Sequence, residues 1–180
     1  MAIMFNTILK EAGLSPKDVR LLRHKDKRAK RGRTPYELWR DNRSQFELYQ
    51  STQGIHNRQK FMAPFWAVFV VNLMDETMFA GIYAVKYKGL LEHDLKMPHS
   101  DGIEKAGSCD YFELTLQDSL NDLIGKLFID WGKGALAWVQ HADKQNKPVI
   151  ELRREFKEPD FPGLLNVLTT PIFQTKGSKI

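Results

Sequence analysis

Seven consecutive residues, Phe65-Trp66-Ala67-Val68-Phe69-Val70-Val71, contain no polar side chain, and all but Ala67 are aromatic or β-branched. No position in that run favours water, so it predicts a buried central strand. Asp75-Glu76-Thr77 supplies a turn, and Met78-Phe79-Ala80-Gly81-Ile82-Tyr83-Ala84-Val85 reads as the antiparallel partner. Residues 111–115, 126–131 and 148–153 are further strand candidates, with 135–141 between the last two and a helical turn over 120–125. Residues 90–108, with Pro98, Gly102 and Gly107, read as a long loop or insertion.

The chain ahead of that hairpin is helical in character. Asn6 predicts a cap for a short helix over 7–12 that stops at Gly13. Ser15-Pro16-Lys17-Asp18 is a second start signal, for a brief helix, while residues 19–24 suit an extended strand equally well. Thr34-Pro35-Tyr36-Glu37 is the cleaner signal. Leu38, Trp39, Phe46, Leu48 and Tyr49 follow at roughly helical spacing, which predicts one helix over 35–50 closed near Gly54. The fold class expected is α+β: a curved antiparallel sheet or small barrel, with N-terminal helices and a basic arm. A single domain is expected over 1–174, comprising a basic segment over 20–60 and a mainly β core over 61–168, with 175–180 as a tail or truncation point.

Charge divides the chain unevenly. Residues 17–60 hold 13 basic and 5 acidic side chains, whereas residues 61–180 hold 13 basic and 16 acidic. The excess is densest over 20–33, RLLRHKDKRAKRGR, with eight Lys/Arg and the single acid Asp26. A basic third on a mildly acidic body is the footprint of a protein that meets a polyanion with one face. The bland alternative is a solvated charge run. Lysines and arginines here suit phosphates, while an arginine held by neighbouring structure, as Arg23 is after Leu21-Leu22, suits a base edge. Arg40 and Arg43, then Arg58 and Lys60, extend the patch, although Arg40 and Arg43 have Glu37, Asp41 and Glu47 as local partners. One cysteine, Cys109, excludes an intrachain disulfide framework and fits a reducing, cytoplasmic setting. No apolar run nears the roughly 20 residues that span a bilayer, and the first residues lack the basic start of a signal peptide.

Few catalytic patterns survive inspection. Gly81-Ile82-Tyr83 resembles half of a GIY-YIG nuclease signature, but Tyr87-Lys88-Gly89 comes too soon to be its second half, so the tripeptide reads as strand sequence. Glu155-Phe156-Lys157, with Asp130 or Asp143 upstream, has the form of a magnesium-dependent PD-(D/E)xK centre, the rival catalytic assignment being Glu155 and Lys157. His93, Asp94, His99, Asp101 and Cys109 lack structural-zinc spacing, and His56 lacks the second histidine of an HNH site. No metal site is expected. His141 reads as a surface histidine, and Trp66, Trp131 and Trp138 as core, with Trp138 beside Gln140 open to either role.

Several separated blocks, LLRHKD, RGRTPYELWRDNRSQFELYQSTQ, APFWAVFVV, LNDLIGKLFIDWGKG, AWVQHADKQNKPVIEL and FPGLLNV, resemble the N-terminal region of bacterial GIY-YIG nuclease-fusion proteins. Some of these are similar to BisI-type modification-dependent restriction endonucleases. The resemblance spans about residues 21–168. It implies a recognition module for short GC-rich sites in double-stranded DNA carrying 5-methylcytosine or hydroxymethylcytosine. It also implies a separate GIY-YIG catalytic domain, absent from this chain, that uses magnesium for cleavage; binding itself needs no cofactor. It implies DNA contact by Arg23, His24, Arg31 and Arg33, and by Arg28 and Thr34. The full set expected at DNA is Arg20, Arg23, His24, Lys25, Lys27, Arg28, Lys30, Arg31, Arg33, Thr34, Arg40, Arg43, Arg58 and Lys60. A near-palindromic target suits a homodimer, one copy per half-site. The alternatives are the compact magnesium-dependent nuclease above and an RNA-binding module.

Overall fold

The computed structural model describes residues 1–25, 33–98, 102–133 and 137–156. Helix α1 (Phe5–Glu11) opens the chain and is followed by strand β1 (Val19–His24). Helices α2 (Pro35–Asp41) and α3 (Arg43–Ser51) come next, then β2 (Thr52–Gly54) and α4 (Arg58–Phe61). The long hairpin is β3 (Phe65–Val71) and β4 (Thr77–Leu90). A small pair, β5 (Leu95–Lys96) and β6 (Ile103–Glu104), precedes β7 (Cys109–Leu116), β8 (Leu127–Ile129), β9 (Val139–His141) and β10 (Val149–Leu152).

The class is α+β, built on a curled, half-barrel-like open sheet. Its path among the described residues runs β10-β8-β4-β3-β1-β9, with β7 on the far half of β4 and β2 beyond it. The sheet is mixed rather than wholly antiparallel, because β1 and β3 run parallel, Val19 opposite Phe65 and His24 opposite Val70. Parallel neighbours require a crossover, and α2 to α4 supply it. The helix expected over 35–50 is two. Asn42 leaves helical geometry (φ −151°, ψ 93°), and its side chain accepts the Gln45 N–H to start α3. The first helix also starts earlier than expected. Asn6 lies inside α1, where its side-chain amide donates to the Ala142 carbonyl at 2.7 Å. Residues 90–98 and 102–108 form more than a loop, since β5 pairs with β6 while Leu91 and Met97 are buried.

Both faces of the sheet are covered. Leu22, Trp66, Val68, Val70, Met78 and Ala80 pack under α2 and α3 with Trp39, Phe46 and Phe61. Val19, Leu21, Ala67, Phe69 and Phe79 pack on the other face with Phe5 and Leu9 of α1 and with Trp131. Alternation thus sends even residues of β1 and β3 toward α2 and α3, and odd ones toward α1. In β4 the parity reverses. Met78 and Ala80 face α2 and α3, but beyond Gly81 it is Tyr83 that does so, and Ile82 faces α1. A register shift opposite Val68/Phe69 marks the bulge. Gly81 makes it with φ +143°, and a Cβ there would stand 2.8 Å from Leu116 Cδ1. Around this bulge β4 also changes partner, from β8 at Thr77–Met78 to β7 from Tyr83 onward. Gly81-Ile82-Tyr83 is therefore strand sequence, as its context predicts.

Candidate functional site at the carboxyl end of β1

The basic segment leaves the sheet where β1 ends, so Arg23, His24 and Lys25 mark its root. Parity separates the first two. Arg23 points to the α1 face, its guanidinium 5.3 Å from the centroid of the buried Trp131 ring. Lys147 lies against the same ring at 4.6 Å and donates to the Trp131 carbonyl at 2.6 Å. Only 5% of Lys147 is exposed, and loss of hydration pushes both its pKa and that of Arg23 down. Arg23 Nε is buried with no partner among the described residues. His24 points the other way. Its ring is 4% exposed, Nε2 lies 3.2 Å from Gln50 Oε1, and Phe46, Tyr49 and Trp138 surround it. Burial lowers its pKa to about 4, so the ring is neutral at pH 7. His24 is thus a neutral, largely buried histidine rather than a cation available to DNA phosphates.

Two clefts flank the strand end. On the α1 face, about 270 Å³ opens between Arg23, Trp131, Asp130, Glu76 and Glu151. Its charges are largely matched within the fold: Lys25 lies 3.7 Å from Asp75, and Arg153 binds both Glu76 (2.6 Å) and Glu151 (3.0 Å). On the α2–α3 face, about 120 Å³ opens against Tyr49, Trp138 and His24, with Arg23 and Lys25 at the margin. Trp138 thereby joins a surface cleft rather than lying wholly in the core. Its neighbour Gln140 is buried, donating to the Ala137 carbonyl.

Most other expected contacts have internal partners. Thr34 is 5% exposed and caps α2, accepting the Glu37 N–H at 3.1 Å, so its hydroxyl serves the helix rather than an outside ligand. Arg40 forks onto Asp41 at 2.7 and 3.0 Å, the local pairing anticipated for it. Arg43 lies over the Trp39 ring at 4.5 Å and donates to the Trp39 carbonyl. Arg20 donates to the carbonyls of Lys60 and Met62, tying β1 to α4. Arg58 forks onto Asp110 at 2.8 to 3.1 Å, and the Tyr87 hydroxyl donates to the same carboxylate at 2.7 Å. The Arg58 and Tyr87 hydrogen bonds hold the Asp110 carboxyl below its ordinary range. Lys25, Arg33 and Lys60 are exposed, Arg33 being 3.8 Å from Asp41. Lys27, Arg28, Lys30 and Arg31 lie outside the described residues.

The chain matches no family model, no curated protein and no solved structure.

Glu155 lies beyond the end of β10, next to Phe156, which packs on Trp39 at 5.2 Å; Lys157 is outside the described residues. No group of three or more His, Cys, Asp or Glu is placed to hold a metal ion among the described residues. No described helix is long and apolar enough to cross a membrane. Tyr49 and Lys147 were not anticipated at the site. Tyr49 reads in sequence as one more apolar position of a helix, and Lys147 as one of many surface lysines; only the folded neighbours single them out.

Proposed function

We propose that the chain is a DNA-binding module that recognises modified cytosine in double-stranded DNA. One observation supports this above the others: the chain's most basic segment, 20–33, passes through Arg23 and Lys25, which border a cleft that Tyr49 and Trp138 line. Cations beside an aromatic surface are what a nucleic acid requires, since phosphates supply affinity and bases supply stacking. The resemblance to the N-terminal region of GIY-YIG nuclease-fusion proteins points to the same substrate and makes methylated or hydroxymethylated GC-rich duplex the target. Lys25, Arg33 and Lys60, with Lys27, Arg28, Lys30 and Arg31, engage phosphates. Arg23, held by the Trp131 ring and with Nε unpaired, is the arginine best anchored to choose between bases. Arg40, Arg43 and Arg58 are assigned to the fold rather than to DNA.

The test is fluorescence anisotropy with matched duplexes, unmodified and 5-methylated, through a salt titration. The methylated duplex should bind tighter, and log affinity should fall with log salt by about 0.9 per neutralised phosphate. Equal affinities would remove modification sensing from the proposal. Stronger binding to structured RNA than to either duplex would favour the RNA-binding alternative.

A further inference from the structure

We infer that the cleft between Tyr49 and Trp138 takes a single pyrimidine ring swung out of the duplex, so that the modified base is read outside the stack. The inference rests on the DNA-binding function proposed above and names how that site reads its target. Size is the first argument. The cleft offers about 120 Å³. A closed cavity of about 150 Å³ accepts benzene, so this half-open space is on the scale of one six-membered ring. Lining is the second. Tyr49 and Trp138 offer aromatic surface on which a base can stack.

The floor is polar in a particular way. His24 lines the cleft, and its Nε2 lies 3.2 Å from Oε1 of the fully buried Gln50. A neutral imidazole that meets an amide oxygen through Nε2 carries its proton there, which leaves Nδ1 as acceptor. His24 Nδ1 makes no hydrogen bond among the described residues, whereas the Gln50 side chain also meets Tyr83. An acceptor suits the exocyclic amino group of cytosine, which thymine lacks. Lys25, which also lines the cleft, is placed for the phosphates that flank a displaced nucleotide. Extrusion costs a few kcal/mol of unpairing and unstacking, least where the base is already mismatched.

That cost provides the experiment. The full chain is titrated with methylated duplexes in which the target 5-methylcytosine faces guanine, or faces adenine as a mismatch. The same is done with Trp138→Ala and Tyr49→Ala, whose folding is checked by circular dichroism. Free 5-methyldeoxycytidine monophosphate is titrated separately, with tryptophan fluorescence as the signal. The mismatch should tighten wild-type binding by about tenfold, and each variant should lose about tenfold on the methylated duplex with its salt slope unchanged. Wild-type discrimination that ignores both the mismatch and the variants would overturn the inference and leave the proposed function standing. Absence of duplex binding by the wild type would overturn both. Binding of the free nucleotide without duplex binding would assign the cleft to a soluble pyrimidine nucleotide and overturn extrusion. The wild-type mismatch comparison is decisive even if neither variant folds.

Discussion

The two clefts beside β1 share a strand end and differ in everything else. The one on the α1 face is charged, and its ions are largely paired with one another: Lys25 with Asp75, Arg153 with Glu76 and Glu151. The one on the α2–α3 face is aromatic, and His24, which lines it, spends only Nε2 on Gln50. Ions already paired with one another have less left to offer a ligand, even though Arg23 Nε in this cleft has no partner among the described residues. A neutral histidine lining an aromatic cleft with one ring nitrogen bonded keeps the other in reserve. The charged cleft is the larger, yet the smaller one has the chemistry of a binding site.

The sharpest way to break this comparison is to remove one tryptophan from each side. Trp131 is 3% exposed and holds both Arg23 and Lys147. Trp131→Ala should lower unfolding free energy by about 3–5 kcal/mol in urea titration. It also strips the aromatic surface from a buried lysine. Histidine 24 comes next. Its pKa is about 4 in the fold against an ordinary 6.5, so on acidification the unfolded chain takes up the proton first. Stability is therefore whole above about pH 6.5 and drains as pH falls toward 4, by up to about 3 kcal/mol. Urea midpoints at pH 7, 5.5 and 4.5 should show the loss, and His24→Leu should flatten it.

Trp138 is only half-buried, and Trp138→Ala should cost about 1–2 kcal/mol, well short of Trp131→Ala. If the two substitutions cost the same, Trp138 belongs to the core and the aromatic cleft is not a site. The smallest effect is expected at Lys25 and Asp75. Their side chains are 59% and 79% exposed at 3.7 Å separation, so Asp75→Asn should change stability by no more than about 0.5 kcal/mol. It should still strengthen duplex binding slightly at low salt, by freeing Lys25. An unchanged duplex affinity there would detach Lys25 from the interface.

How legible this was depends on how local the cause is. The hairpin of β3 and β4 could be read because β-branched and aromatic residues in an unbroken run have few other places to go. The cap at Thr34 could be read because it joins residues three apart. The break at Asn42 was hidden, since apolar residues on both sides keep helical spacing across it. The parallel pairing of β1 with β3 was hidden as well, because residues 19–24 carry no sign of their neighbour. The patch of arginines over 20–60 was visible as charge but not as disposition. Asp110, which occupies Arg58, is 52 residues away in sequence.

Arg23 and His24 show the division most plainly. From residues alone it follows that a basic segment comes after a short apolar stretch, with a strand-rich core and capped helices around it. Those follow from composition, propensity and spacing, which act over a few residues. Only the tertiary structure decided that two adjacent side chains part company, Arg23 to the Trp131 ring and His24 into the core beside Tyr49 and Trp138. Strand alternation makes neighbours diverge, but which face meets which helix is set by register and crossover. Those are fixed by burial across the whole sheet, and no local run of residues encodes them.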